Sequence, residues 1–227
     1  MRRVDSDWLV PVALIALSTV PVLAGTARLT ELARGVPITP ANARFMASAL
    51  PVVLHIVAAT LYSLLGAVQF SAGLRRRSHR WHRASGRVVV VAGVLAALSG
   101  LWMTQRYPWP AGDGRLLYTE RLVFGTAMLV SLVLAVLAIR SRHFAAHGRW
   151  MIRAYAIGLG AGTQVFTHIP WFLLAHDAPG EGPRALMMGA GWAINVVVAE
   201  WAIHRIGQRS RTHGVPKERL SIQTRDR

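Results

Sequence analysis

The chain has 227 residues, of which 53% are hydrophobic and only 16% charged, against roughly a quarter charged in soluble domains. It contains no cysteine, which excludes disulfides, thiolate catalysis and thiolate–zinc sites. Its formal net charge of +16 would suit a nucleic-acid binder, but the cations sit in loops between apolar runs, so no soluble basic face is left to meet nucleic acid.

Six apolar runs lie at 8–25, 45–72, 88–104, 122–139, 150–175 and 185–203. Each is close to the roughly 20 residues that a membrane-crossing helix requires. They predict an all-α integral membrane bundle forming one domain over 1–206, with a core over about 45–175. Of the 26 Lys and Arg residues, 19 fall in the amino tail, around 75–87, around 140–153 and in the carboxyl tail, and 7 in the alternate loops. That asymmetry places both chain ends in the cytoplasm.

The first run follows Arg2-Arg3 and ends in Ala24-Gly25-Thr26-Ala27, a pattern similar to a secretory signal. Its length, with five more apolar runs behind it, favours a retained anchor. The second run carries His55, Tyr62 and Gln69 at steps of seven, a polar stripe on one helix face. Next comes the run from His79 to Arg87, which includes His82, Arg83 and Arg87. The third helix ends in a belt of Trp102, Tyr107, Trp109 and Tyr118, with Trp171 expected at the same edge. Pro108, Pro110, Gly112 and Gly114 mark the turn there. Glu120 and Arg121 open the fourth helix; adjacent residues diverge on a helix, so each is expected to find another partner.

A second basic run, from His143 to Arg153, includes His147, Arg149, Trp150 and Met151. His143 and His147 share a helix face, but the absence of a nearby acid disfavours zinc. In the fifth helix Gly158 and Gly162 form a GxxxG spacing that points to close helix packing. Gln164 and His168 follow, ahead of Pro170, where a kink would free backbone carbonyls. The last helix carries Asn195 and Glu200. A carboxylate there calls for an arginine, with Arg149 expected among Arg83, Arg87, Arg149 and Arg153. The segment 207–227 reads as a basic, disordered cytoplasmic tail.

His55 lies 20 residues from Arg75 and His168 lies 19 from Arg149. At ~1.5 Å per residue, both imidazoles sit roughly 30 Å from the basic side. Matched histidines on two helices point first to b-type haem, held by His55 and His168 at the outer level and by His82 and His147 at the inner. Arg83, Arg87 and Arg153 would balance the propionates, and the chain would pass electrons to or from a quinone. A second reading is a permease or small-molecule binder, with Tyr62, Gln69 and Gln164 lining a polar cavity. A third is a structural or accessory subunit. Anionic lipid headgroups are expected partners of the basic loops.

Gly66-x-x-Gln69, His82-Arg83-x-x-Gly86-Arg87, His147-x-x-Trp150-Met151-x-Arg153, Asn195 and Glu200-Trp201 together resemble the bacterial multi-pass family called domain of unknown function 2306. The resemblance covers roughly residues 46–206. It implies a protein of the bacterial cytoplasmic membrane without an assigned activity, and an arginine late in the fifth helix, where this chain departs with Gln164 to His168. A looser likeness to the cytochrome b561 type rests on topology and matched histidines; that type implies ligands on four successive helices, whereas here the fourth helix has no histidine.

Overall fold

A computed structural model describes residues 2–175 and 177–213, with side chains over 7–175 and 177–208. Among them every regular element is a helix. The apolar runs become α1 (Arg2–Arg34), α3 (Ala49–Gln69), α5 (His79–Arg106), α6 (Arg115–Arg140) and α9 (Glu181–His213), with a divided traverse of α7 (Phe144–Gly158) and α8 (Gly160–Leu174). Two short helices, α2 (Ala43–Ala47) and α4 (Ala72–Arg77), lie at opposite ends of α3. Five helices are long and apolar enough to cross a bilayer: Asp7–Arg34, Ala49–Gln69, His79–Arg106, Arg115–Arg140 and Glu181–Gln208.

Both histidine–arginine runs are helical rather than loops. Ser78 accepts a hydrogen bond from the Trp81 N–H at 3.3 Å and so caps α5 one residue before His79. Ser71 caps α4 in the same way through the Leu74 N–H. The turn into α7 is just as short. Arg142 adopts φ 61°, and the His143 N–H reaches the Ala138 carbonyl at 2.8 Å, which closes the end of α6. These connections define a basic face; the segments 35–42, 107–114 and 177–180 define the distal face.

Helices α1, α3, α5, α6, α9 and α8 follow one another in a closed ring of contacts, and α7 packs against α3, α6 and α9. The sequence Ala24-Gly25-Thr26-Ala27 lies inside α1, where Gly25 rests on Ile56 of α3. Large apolar side chains such as Leu50, Val91, Leu173 and Val197 point outward, as a lipid-facing surface requires.

The expectation of one continuous helix over 150–175 is corrected by a break at Leu159. Three glycines in five residues weaken helical preference there, and each meets a different neighbour. Gly158 faces the Tyr62 ring of α3, Gly160 faces Trp192 of α9, and Gly162 faces the Leu17 carbonyl of α1. That carbonyl has lost its own helical donor, because Pro21 has no N–H. Asn195 repairs the break. Its amide donates at 2.9 Å to the Ala156 carbonyl, which an unbroken helix would give to Gly160. Its own oxygen accepts from Thr163 at 2.6 Å. Farther along the chain, α9 stays helical past Gly207 to His213; the rest of the tail expected at 207–227 lies outside the described residues.

Tyr62 holds the centre. Its ring is only 1% exposed and stands between Gly93 of α5 and Gly158 of α7. A Cβ at either glycine would approach ring carbons on opposite edges to 2.6 Å. Tyr155 fits against Gly66 and donates to the Ser63 carbonyl at 2.6 Å. With no hydrophobic drive between helices in lipid, such close fits supply much of the association energy. Gly93→Ala and Gly158→Ala are each expected to destabilise the fold by about 1–3 kcal/mol through overpacking, read as a lowered melting temperature in detergent. Gly148→Ala on α7, where a Cβ meets nothing within 4 Å, is expected to be neutral or to stabilise by up to about 1 kcal/mol.

Candidate binding cavity

A cavity of about 480 Å³ runs from the distal loops to the middle of the bundle, a volume within the roughly 300–1,000 Å³ typical of small-molecule pockets. Its upper wall carries Arg44, Arg121, Tyr107 and Trp109, and its lower wall Tyr62, Met128 and Trp192. From the start of α3 to Tyr62 is about 20 Å of helix at ~1.5 Å per residue.

The polar groups on this wall are spare in number and mostly committed. His55 Nδ1 is 2.9 Å from the Ala96 carbonyl and 3.2 Å from Ser99 Oγ, and its ring lies against Gly100. Gln164 donates to the Met188 carbonyl at 3.1 Å. The Tyr62 hydroxyl, by contrast, is buried and has no hydrogen-bond partner. The phenol ring cannot swing away to find one, because Gly93 and Gly158 hold both of its edges.

Charge collects at the distal end. Asp113, whose side chain is 3% exposed, binds both Arg121 of α6 and Arg184 of α9, the latter at 2.8 Å. This is the separate partner expected for Arg121. Glu120 turns the other way, towards Gly189 of α9, and leaves Oε2 buried without a partner. Arg28 pairs with Glu31 and also stacks on Phe45, with Arg44 on the same ring at 4.5 Å. Burial lowers the Arg44 pKa, and the positive charges of Arg121, Arg28 and Arg184 add to that effect, while Asp113 opposes it. Tyr107, edge-on to Phe45 and Trp102, has its pKa raised by burial.

The residues singled out in the sequence divide among three places. His55, Tyr62 and Gln164 share the cavity wall. His168 does not line it; its Nδ1 is 2.7 Å from the Gln164 carbonyl of its own helix, and its ring lies near Phe172. Gln69 is at the basic end, donating to Ser85 at 2.7 Å. His82 and His147 share that end, close enough to interact electrostatically. His147 Nδ1 is 3.0 Å from the Ala135 carbonyl, and His82 Nδ1 is buried without a partner. Arg83 and Arg87 are exposed there. Among the described residues no three or more His, Asp or Glu converge as a metal site.

The expected Glu200–Arg149 pair is corrected to Glu200–Arg153, a two-pronged contact at 2.6 and 2.9 Å. Register explains the choice. Gly160 sits against Trp192 and Ala156 against Asn195, so α9 climbs as α7 descends. The same register carries Arg153 to Glu200 and Arg149 about a turn beyond it. Arg44, Asp113 and Trp192 were missed. The one available signal was Asp113 itself, the sole acid in a Pro- and Gly-rich loop flanked by arginines.

A family model described as Predicted membrane protein (DUF2306) matches residues 52–203, more than half of the chain. The chain belongs to this DUF2306 family. The DUF2306 stretch includes Tyr62, Gly93, Gly158, Gln164 and Asn195, and it leaves Arg44 and α1 outside. No curated protein and no solved structure matches the chain.

Asp113→Asn would leave Arg121 and Arg184 without their shared carboxylate. We expect a loss of about 1–3 kcal/mol, since Asp113 is buried while the two arginines left behind stay partly open to water. Glu200→Gln, in a half-exposed pair, should cost no more than about 1 kcal/mol. Melting temperatures of the two variants, compared side by side, check this ordering.

Proposed function

We propose that the protein binds a small molecule inside the membrane, in the cavity walled by His55, Tyr62 and Gln164, as a permease or a binding subunit. The observation that carries this reading is the cavity itself, about 480 Å³ of space that reaches the middle of the bundle with Tyr62 at its floor. The Tyr62 hydroxyl is buried at that floor without a partner, at a cost of about 1–3 kcal/mol. The concentration of cations at the basic face supports a cytoplasmic-membrane protein with both ends inside, its arginines against anionic headgroups.

Native mass spectrometry of protein released from nanodiscs is expected to find a small molecule on the wild type. Ala97→Phe, which fills the cavity from α5, should lack it. Equal adducts on both proteins, or none on either, would overturn the reading. Tyr62→Phe is expected to raise the melting temperature of the emptied protein, since it deletes the unpaired hydroxyl and keeps the ring between its glycines.

Haem and quinone chemistry is the rival reading, with His55 the one proposed haem ligand on the cavity wall. A visible spectrum separates the two. The binder should show no Soret band when expressed with ample haem; a Soret band lost in His55→Ala would replace it with the electron-transfer reading.

A further inference from the structure

The mouth of the cavity carries a cation, Arg44, that no carboxylate among the described residues contacts directly, although Asp113 acts on it from a distance. Four guanidiniums, from Arg28, Arg44, Arg121 and Arg184, gather at the distal end of the bundle. Glu31 takes Arg28, and Asp113 is shared by Arg121 and Arg184. Among the described residues no carboxylate pairs with Arg44, and its Nε is buried without a hydrogen-bond partner. Of the other distal carboxylates, Glu120 turns to α9 and Glu181 lies against Gly114. Arg44 is nonetheless held in place, stacked on Phe45 at the cavity wall. Arg121, the second guanidinium on that wall, reaches Asp113 through one of its terminal nitrogens. A partly buried guanidinium without a direct ion pair is a place that an anion would match.

Below this mouth the wall turns apolar. Ile56, Leu101, Met128 and Trp192 lead down to Tyr62, with His55 and Gln164 as polar points among them. Acid recognition at the rim and an apolar shaft beneath it match one kind of molecule. We infer that the cavity takes a single-chain amphiphile with an anionic head, the head seated on Arg44 beside Arg121 and the tail lying along the shaft towards Tyr62. A volume of about 480 Å³ is in the lower half of the small-molecule range and suits one chain rather than the two of a bilayer phospholipid. Carboxylate and phosphate heads share the required chemistry. The inference rests on the cavity being a binding site, as proposed above, and adds the charge and shape of what enters.

The test uses the full chain in phosphatidylcholine nanodiscs and measures melting temperature against added dodecanoate, dodecyl phosphate, dodecanol, acetate and inorganic phosphate. Dodecanoate or dodecyl phosphate is expected to stabilise the wild type at concentrations at least about tenfold lower than dodecanol, the scale of one desolvated charge contact. Arg44→Gln should reduce the acids to the level of the alcohol, and Ala97→Phe should abolish all of these effects. Raising ionic strength on the wild type should weaken the acids and leave dodecanol unchanged, so the inference stays testable even if Arg44→Gln does not fold. Equal binding of acid and alcohol, lost in Ala97→Phe, would overturn the anionic head and leave the cavity standing. Acetate or inorganic phosphate acting as strongly as dodecanoate would overturn the amphiphile in favour of a free anion. Responses that persist in Ala97→Phe, or no response to any probe, would overturn both this inference and the binding site beneath it.

Discussion

The Tyr62 ring, gripped between Gly93 and Gly158, is the contact on which the rest of the bundle depends. It joins α3, α5 and α7 at one point, and its two edges allow neither neighbour a side chain. In water, apolar burial would hold three such helices together without so close a match. Inside lipid that drive is absent, and shape must do more of the work. Tyr155 repeats the device one layer nearer the basic face, against Gly66 and the Ser63 carbonyl. Two large rings seated on small residues therefore set how near α7 comes to α3.

The cavity above Tyr62 follows from the same geometry. A clamped ring cannot rise to fill the space, and the walls around it carry Gly25, Gly100, Gly125 and Gly162. The distal end is braced by charge and by aromatic contacts. Asp113 fastens the loop 107–114 to both α6 and α9, and Phe45, Tyr107 and Trp102 stack edge to face beside it. The bundle is thus braced at its middle by packing and at its distal rim by ion pairs, with the open volume between the two.

Much of the architecture was legible in the sequence because lipid imposes a simple rule: long apolar stretches become helices, and their basic ends sort to one side. The stripe of His55 and Tyr62 showed as a seven-residue step, and the step does bring both to one wall. The same spacing extended to Gln69, which two further turns carry out of the cavity to Ser85. Matched depth suggested a shared level for His55 and His168, yet depth says nothing about azimuth. His168 turns to its own helix backbone. The Arg153–Glu200 pair depended on the register of α7 against α9, which no single-segment pattern encodes. Arg44 was invisible for a related reason: its importance comes from carboxylates that other arginines occupy.

The break at Leu159 has a mechanical meaning. α7 is fastened to α6 and α9, whereas α8 is fastened to α9 and α1. Between them the backbone ladder is interrupted, and a side chain from α9 stands in for the missing rung. The traverse is therefore two short rods hinged on Asn195 rather than one long spring. A tilt of α1 bears on the rod that carries Gly162, while the rod that carries Gly158 stays with Tyr62. Both glycines lie on the cavity wall, so a change of angle at Leu159 would alter the space between them.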